Sequence, residues 1–152
     1  MTRNTLILLA AGGSAALLLA ALGFQYLGGL PPCKLCYWQR YPHVAAVVIG
    51  LVALFVSGRA LPALGALAAL ATAGVGLYHT GVENGWWEGP TTCTSQSIGG
   101  LSTDELLDQI MGAPLVRCDE IAWQFLGLSM ASWNMIASLA LAGLWIAALK
   151  RS

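Results

Sequence analysis

Four long apolar runs divide the chain, and a lipid bilayer is the solvent that suits them. They cover about 5–27, 33–56, 61–80 and 125–149, each near the roughly 20 residues that cross a hydrocarbon core as an α-helix. In lipid every backbone N–H and C=O needs an internal partner, so such runs become helices. Composition agrees: 57% of the 152 residues are hydrophobic and 9% are charged, whereas a soluble domain carries about 25% charged residues. Too little polar side chain is left to cover a water-soluble globule. The expected fold is all-α: one four-helix transmembrane domain over 1–152, with a long extracytoplasmic loop at about 81–122. The formal net charge is zero and no basic cluster is present. Membrane lipid is therefore an expected partner and nucleic acid is not.

The first run follows Arg3 and contains the small pair Ala20-Ala21. It exceeds the apolar core of about 7–15 residues found in a signal peptide, so it is read as a span. The second run is short if counted from Tyr41, and a start near Cys33 lengthens it. Pro42 then falls inside the helix and is expected to kink it. The loop between the third and fourth runs holds all seven acidic residues, together with Cys93 and Cys118. Within it, Ser102-Thr103-Asp104-Glu105 matches a capping box. Leu106, Leu107, Ile110 and Met111 follow at helical spacing, as in a short amphipathic helix lying on a membrane surface. Trp86, Trp87 and Trp123 suit the lipid–water boundary.

Orientation follows from Lys and Arg near the helix ends. With both termini inside, Arg3, Arg59, Lys150 and Arg151 are inside, and Lys34, Arg40 and Arg117 are outside. That bias is small. The cysteines add to it, because all four lie in the first and third connections, which share a side if four helices cross. Disulfide chemistry persists outside the cytoplasm, so those connections are expected there and both termini in the cytoplasm.

The chemistry centres on Pro31-Pro32-Cys33-Lys34-Leu35-Cys36, followed by Arg40. Proline is favoured in the first turn of a helix. Cys33 and Cys36 would then open the second helix, where unpaired N–H groups and the helix dipole stabilise a thiolate. Arg40 shares a helix face with both cysteines, and a fixed cation beside a thiol favours its ionised form. This pattern suits redox exchange. Four cysteines could instead hold zinc, but Cys93 and Cys118 are not a second close pair. Two structural disulfides are another reading, although a pair spaced by two residues closes too small a loop to constrain the unfolded chain much. Arg40 could be an anchor that snorkels to headgroups; its shared face with the cysteines favours a functional role. His79, at the outer end of the third helix, is open between interfacial filler and function. Trp38, Tyr41 and His43 are read as ordinary interfacial side chains.

Taken together, these residues resemble the DsbB family of bacterial disulfide-bond formation proteins. The resemblance covers nearly the whole chain: four helices, Pro-Cys-Lys-Leu-Cys after the first, Arg40 beyond it, Tyr78-His79-Thr80, and a long loop with Cys93 and Cys118. Lys34-Leu35 departs from the apolar pair seen in several members, which bears on redox potential rather than on the reaction. The resemblance implies a bacterial inner-membrane bundle that reoxidises a periplasmic thiol oxidase of the DsbA type and passes the electrons to a quinone, either ubiquinone or menaquinone. It implies that the partner's thiolate attacks Cys93 of a Cys93–Cys118 disulfide. Cys118 or the thiols it passes on then reduce the Cys33–Cys36 bond at Cys33, and Cys36 donates to the quinone. Arg40 and His79 become quinone contacts. Two other readings are carried beside it. One is an enzyme like vitamin K epoxide reductase, in which the active pair usually follows the loop cysteines rather than preceding them. The other is a non-catalytic membrane scaffold with structural disulfides.

Overall fold

The computed structural model describes residues 1–90, 93, 102–112 and 116–152. Helix α1 spans Arg3–Tyr26, α2 Lys34–Phe55, α3 Ala60–Glu83, α4 Thr103–Met111 and α5 Met130–Leu149. Four of these, α1, α2, α3 and α5, are long and apolar enough to cross a membrane. Each packs on two others, in the cyclic order α1, α2, α3, α5. Leu8, Leu19, Val48, Leu67 and Ile136 point outward and are exposed, as side chains facing lipid should be.

The half of the bundle that carries both chain termini is held by one apolar cluster built from Ile7, Ala10, Ala53, Ala69, Leu141 and Trp145. Trp145 is fully buried, and Gly65 makes room for it: a Cβ there would lie 2.5 Å from the indole. Small residues at helix contacts let backbones approach in this way. At this end Arg3 donates to the Val56 carbonyl at 2.9 Å and to Ser152 Oγ at 3.1 Å. Both chain termini and the α2–α3 connection therefore share one end, and the cysteines occupy the other.

Pro42 lies within a continuous α2. Thr72 Oγ1 of α3 donates to the Gln39 carbonyl at 3.0 Å, in the turn where proline disturbs the backbone ladder. A neighbouring hydroxyl commonly serves such a turn in membrane helices. The α4 capping box forms as its sequence predicts: Ser102 Oγ accepts from the Glu105 N–H, and Glu105 accepts from the Ser102 N–H at 2.8 Å.

The start of the last helix differs from the sequence reading. Residues Gln124–Phe125 (β1) and Leu128–Ser129 (β2) form a two-stranded antiparallel hairpin, and α5 begins at Met130 rather than near Phe125. Hydropathy favoured the helix, because Phe125, Leu126 and Leu128 are apolar. The turn residues decide otherwise: Leu126 and Gly127 both have positive φ, 51° and 77°, as a two-residue hairpin turn requires. Ser129 then caps α5 by accepting from the Ser132 N–H at 3.2 Å. At the other helix end, α3 runs past Thr80 to Glu83, which puts Glu83 one turn beyond His79.

Candidate functional site

Cys33 is the N-cap of α2, and its sulfur accepts from the Cys36 N–H at 3.2 Å. A sulfur thus stands where Ser, Thr or Asp usually satisfies an unpaired helix N–H. Pro31 and Pro32 precede the cap. The Cys36 sulfur lies one turn on, 2.7 Å from that of Cys33. Both are free thiols, whereas Cys93 and Cys118 are bonded to each other. While that bond is closed, four thiolates are not available together for zinc. Cys33, Leu35, Val82, Cys93 and Cys118 form one buried cluster, with Cys36, Tyr78 and Val116 against it. Both cysteine pairs are therefore packed together, although the sequence separates them by two membrane helices.

α3 supplies the polar side of the site. His79 Nε2 is 3.7 Å from the Cys33 sulfur and 3.8 Å from Glu83 Oε1. His79 Nδ1 meets Gln39 Nε2 at 2.8 Å. Glu83 accepts a short hydrogen bond from Ser129 Oγ, and its side chain is only 5% exposed. Trp87 folds back over α3, where Gly81 leaves space for its ring. It donates to the Tyr78 carbonyl at 2.8 Å and stacks on the Tyr78 ring with centroids 6.1 Å apart.

Arg40 leans across to α1. It donates to Gln25 Oε1 at 2.6 Å and to the Ala21 carbonyl at 3.3 Å, and it sits 5.4 Å over the Tyr37 ring. The guanidinium is half-buried and fixed to helix backbone, a geometry a freely snorkelling side chain would not keep.

A cavity of about 130 Å³ joins these groups. Leu17, Leu18 and Phe24 form an apolar wall, and Cys33, Cys36, Arg40, His79 and Glu83 supply the polar edge. All six site residues expected from the sequence fall in this region: four line the cavity, and Cys93 and Cys118 pack behind Cys33.

Three residues were missed or misread. Trp38 and Tyr41 are exposed as interfacial residues should be, but His43 is 2% exposed. It lines the cavity and bonds Asn134 Oδ1 through Nε2 at 2.9 Å. Its position one turn after Gln39 and Arg40 was the available signal. Gln39 and Glu83 were not singled out. Gln39 lies three residues after Cys36 and Glu83 four after His79, the helical spacings that place side chains together.

Outside the membrane helices, Arg117 pairs with Asp119 at 2.9 Å and with Glu120 at 2.9 Å. The Asp119 carboxylate raises the Arg117 pKa above its usual value.

Comparison with known proteins identifies this arrangement. The family profile "Disulfide bond formation protein DsbB" matches residues 3–148. A disulfide bond formation protein B from Herminiimonas arsenicoxydans is 33% identical over 145 residues, covering 90% of this chain and 89% of its own. Proteins of the same name from Aromatoleum aromaticum and Methylococcus capsulatus are 36% and 34% identical, covering 80% and 84% of this chain and 77% and 82% of their own. No solved structure matches the chain. With four membrane helices, a free Cys-x-x-Cys pair packed against a loop disulfide, and a profile match over nearly its whole length, the chain belongs to the DsbB family of disulfide bond formation proteins.

Proposed function

We propose that this membrane thiol–disulfide oxidoreductase sits in a bacterial inner membrane, reoxidises a DsbA-like periplasmic thiol oxidase and passes the electrons to a quinone. One observation carries the reading: both cysteine pairs share a buried cluster at the edge of an apolar cavity between membrane helices. A scaffold would have no use for a free thiol pair beside such a cavity.

The relay takes four exchanges, each a thiolate attack on a sulfur. A partner thiolate attacks Cys93, and Cys118 leaves. The Cys118 thiolate attacks Cys33 of an oxidised Cys33–Cys36 pair, forming Cys33–Cys118 and releasing Cys36. The partner's second thiolate then resolves its bond to Cys93 and departs oxidised. Finally Cys93 attacks Cys118, the loop disulfide re-forms and Cys33 is released. The product of these exchanges is a closed Cys93–Cys118 bond with two free thiols at Cys33 and Cys36.

The cavity fits a quinone in its chemistry. An apolar wall suits a planar ring and an isoprenoid tail, and the hydrogen-bond donors Arg40 and His79 at its edge suit carbonyl oxygens. Bound there, a quinone supplies the two-electron acceptor that returns Cys33 and Cys36 to a disulfide. Arg40, held by Gln25 and Ala21, keeps a permanent positive charge on this edge. In a site with little water that charge acts more strongly than at an exposed surface, favouring the Cys36 thiolate and negative charge arising in the cavity.

The loop disulfide is placed in the periplasm and both termini in the cytoplasm. The basic end of the bundle and the clustering of all four cysteines at the other end support this. The test is quinone reduction by purified protein supplied with a reduced DsbA-like thiol oxidase, with ubiquinone and menaquinone analogues in parallel. Turnover that requires both protein components and all four cysteines supports the proposal. Loss of the partner's thiols beyond one turnover per protein without quinone reduction contradicts it.

A further inference from the structure

Gln39 has no part in the relay, yet it is 7% exposed and touches the one histidine beside Cys33. Its orientation is fixed by its surroundings. Gln39 Nε2 lies 3.3 Å from the Leu35 carbonyl, an atom that can only accept. The amide group facing it must therefore be NH2, and the same NH2 faces His79 Nδ1 at 2.8 Å. An NH2 group can only donate, so Nδ1 of a neutral His79 is the bare acceptor. The ring proton is then on Nε2. That nitrogen is 3.7 Å from the Cys33 sulfur and 3.8 Å from Glu83 Oε1.

We infer that Gln39 is a positioning residue that fixes His79 as its Nε2–H tautomer, so that this N–H stabilises Cys33 as the leaving thiolate when the loop disulfide re-forms. The inference rests on the relay proposed above and concerns its last exchange. In that step the Cys93 thiolate attacks the Cys118 sulfur. The Cys93–Cys118 bond forms, the Cys33–Cys118 bond breaks, and Cys33 keeps the electron pair. Nothing is oxidised or reduced overall and no proton need move. A better-stabilised leaving thiolate leaves faster. His79 then serves the junction between the two cysteine pairs, a role separate from contact with a quinone carbonyl.

The chain has two histidines, so nitrogen-15 NMR of histidine-labelled, reduced protein in lipid nanodiscs can assign each ring, with a His43→Phe sample to separate them. The first readout is the wild-type tautomer. A bare Nδ1 and a protonated Nε2 on His79 are expected; a protonated Nδ1 in the neutral ring overturns the inference. The second readout is a stopped single turnover of the Cys33–Cys118 species without added quinone. Gln39→Met keeps the length and removes the donor. It should let both His79 tautomers appear and slow release of Cys33 by about tenfold, the weight of one hydrogen bond to a charged group. His79→Phe should slow it by as much, and the double variant by no more than either alone. Additive losses, or a Gln39→Met protein with unchanged tautomer and rate, overturn the inference. The NMR result does not depend on turnover, so failure of the relay itself appears separately, as a wild-type protein that never forms the Cys33–Cys118 bond.

Discussion

The Gln39 amide meets the His79 ring at 2.8 Å, and that contact ties α2 to α3 directly behind the Cys33 sulfur. Helix α2 brings the Cys-x-x-Cys pair and Arg40, and α3 brings His79 and Glu83. The redox site exists only where these two helices pack, with the loop disulfide closing it from outside.

The loop cysteines have distinct roles. Cys93→Ala should abolish the mixed disulfide with the partner, because the sulfur under attack is gone. Cys118→Ala leaves Cys93 a free thiol that should capture oxidised partner as that complex. The Cys93 thiolate attacks the partner's disulfide, one partner sulfur leaves as thiolate, and no Cys118 is present to displace the partner from Cys93. Non-reducing electrophoresis reads both, after mixing Cys93→Ala with reduced partner and Cys118→Ala with oxidised partner. Trapping by Cys93→Ala and not by Cys118→Ala would show the roles reversed.

Arg40 should act on turnover more than on thiol exchange. Arg40→Lys keeps the charge and loses the planar fork that reaches both Gln25 and the Ala21 carbonyl, so quinone-dependent turnover should fall in part. Arg40→Ala should cost about a hundredfold, while Cys93–Cys118 still exchanges with the partner. Steady-state kinetics over a quinone series, beside a single-turnover exchange without quinone, separates the two. Unchanged quinone kinetics in Arg40→Ala would make Arg40 an anchor only.

Much of this was legible in the sequence. The four spans follow from hydropathy, the α4 capping box from Ser102 and Glu105, and the Cys33–Cys36–Arg40 face from helical spacing. What was not legible depends on contacts between helices. His43 reads as interfacial because an aromatic residue near a helix end usually is; its burial is set by Asn134 of α5, far along the chain. Gln39 gains its role only from the Leu35 carbonyl and the ring of α3. The start of α5 was misplaced because apolar content outweighed a turn in which both Leu126 and Gly127 adopt positive φ.

Packing at the end that carries both termini should be intolerant of added volume. A methyl at Gly65 would meet the Trp145 ring at 2.5 Å, so Gly65→Ala should destabilise the bundle by about 1–3 kcal/mol. Trp145→Ala should cost about 3–5 kcal/mol through the cavity it leaves. Thermal unfolding in detergent, at fixed detergent concentration, measures both. Neither change touches the cysteine end, so residual folded protein should keep its thiol chemistry.

The capping box of α4 should titrate. Hydrogen bonds from the Ser102 side chain and backbone hold the Glu105 carboxyl below its ordinary value of 4.5. A depressed carboxyl contributes stability above its unfolded value and loses it as pH falls through the folded one. Protection of the amides at the start of α4, relative to their intrinsic exchange rate at each pH, should therefore be full at neutral pH and fall as pH drops below the ordinary carboxyl value. Ser102→Ala should remove most of that dependence, and an unchanged profile in this variant would mean the box does not hold the helix.

The proposed sidedness puts all four cysteines on the periplasmic face. A thiol reagent that cannot cross membranes should reach Cys93 and Cys118 from the periplasmic side of intact cells after reduction. Labelling confined to inverted vesicles would reverse the orientation.

In the proposed relay electrons pass from the loop pair to the Cys33–Cys36 pair and leave only through a quinone. Differential alkylation with mass spectrometry, at timed intervals after adding reduced partner to fully oxidised protein, reads each cysteine directly. Without quinone, the predicted end state is a bonded Cys93–Cys118 pair and free Cys33 and Cys36, and adding quinone should close the Cys33–Cys36 bond. If Cys33 and Cys36 stay bonded while the partner is oxidised, or reopen and close without quinone, the account is contradicted.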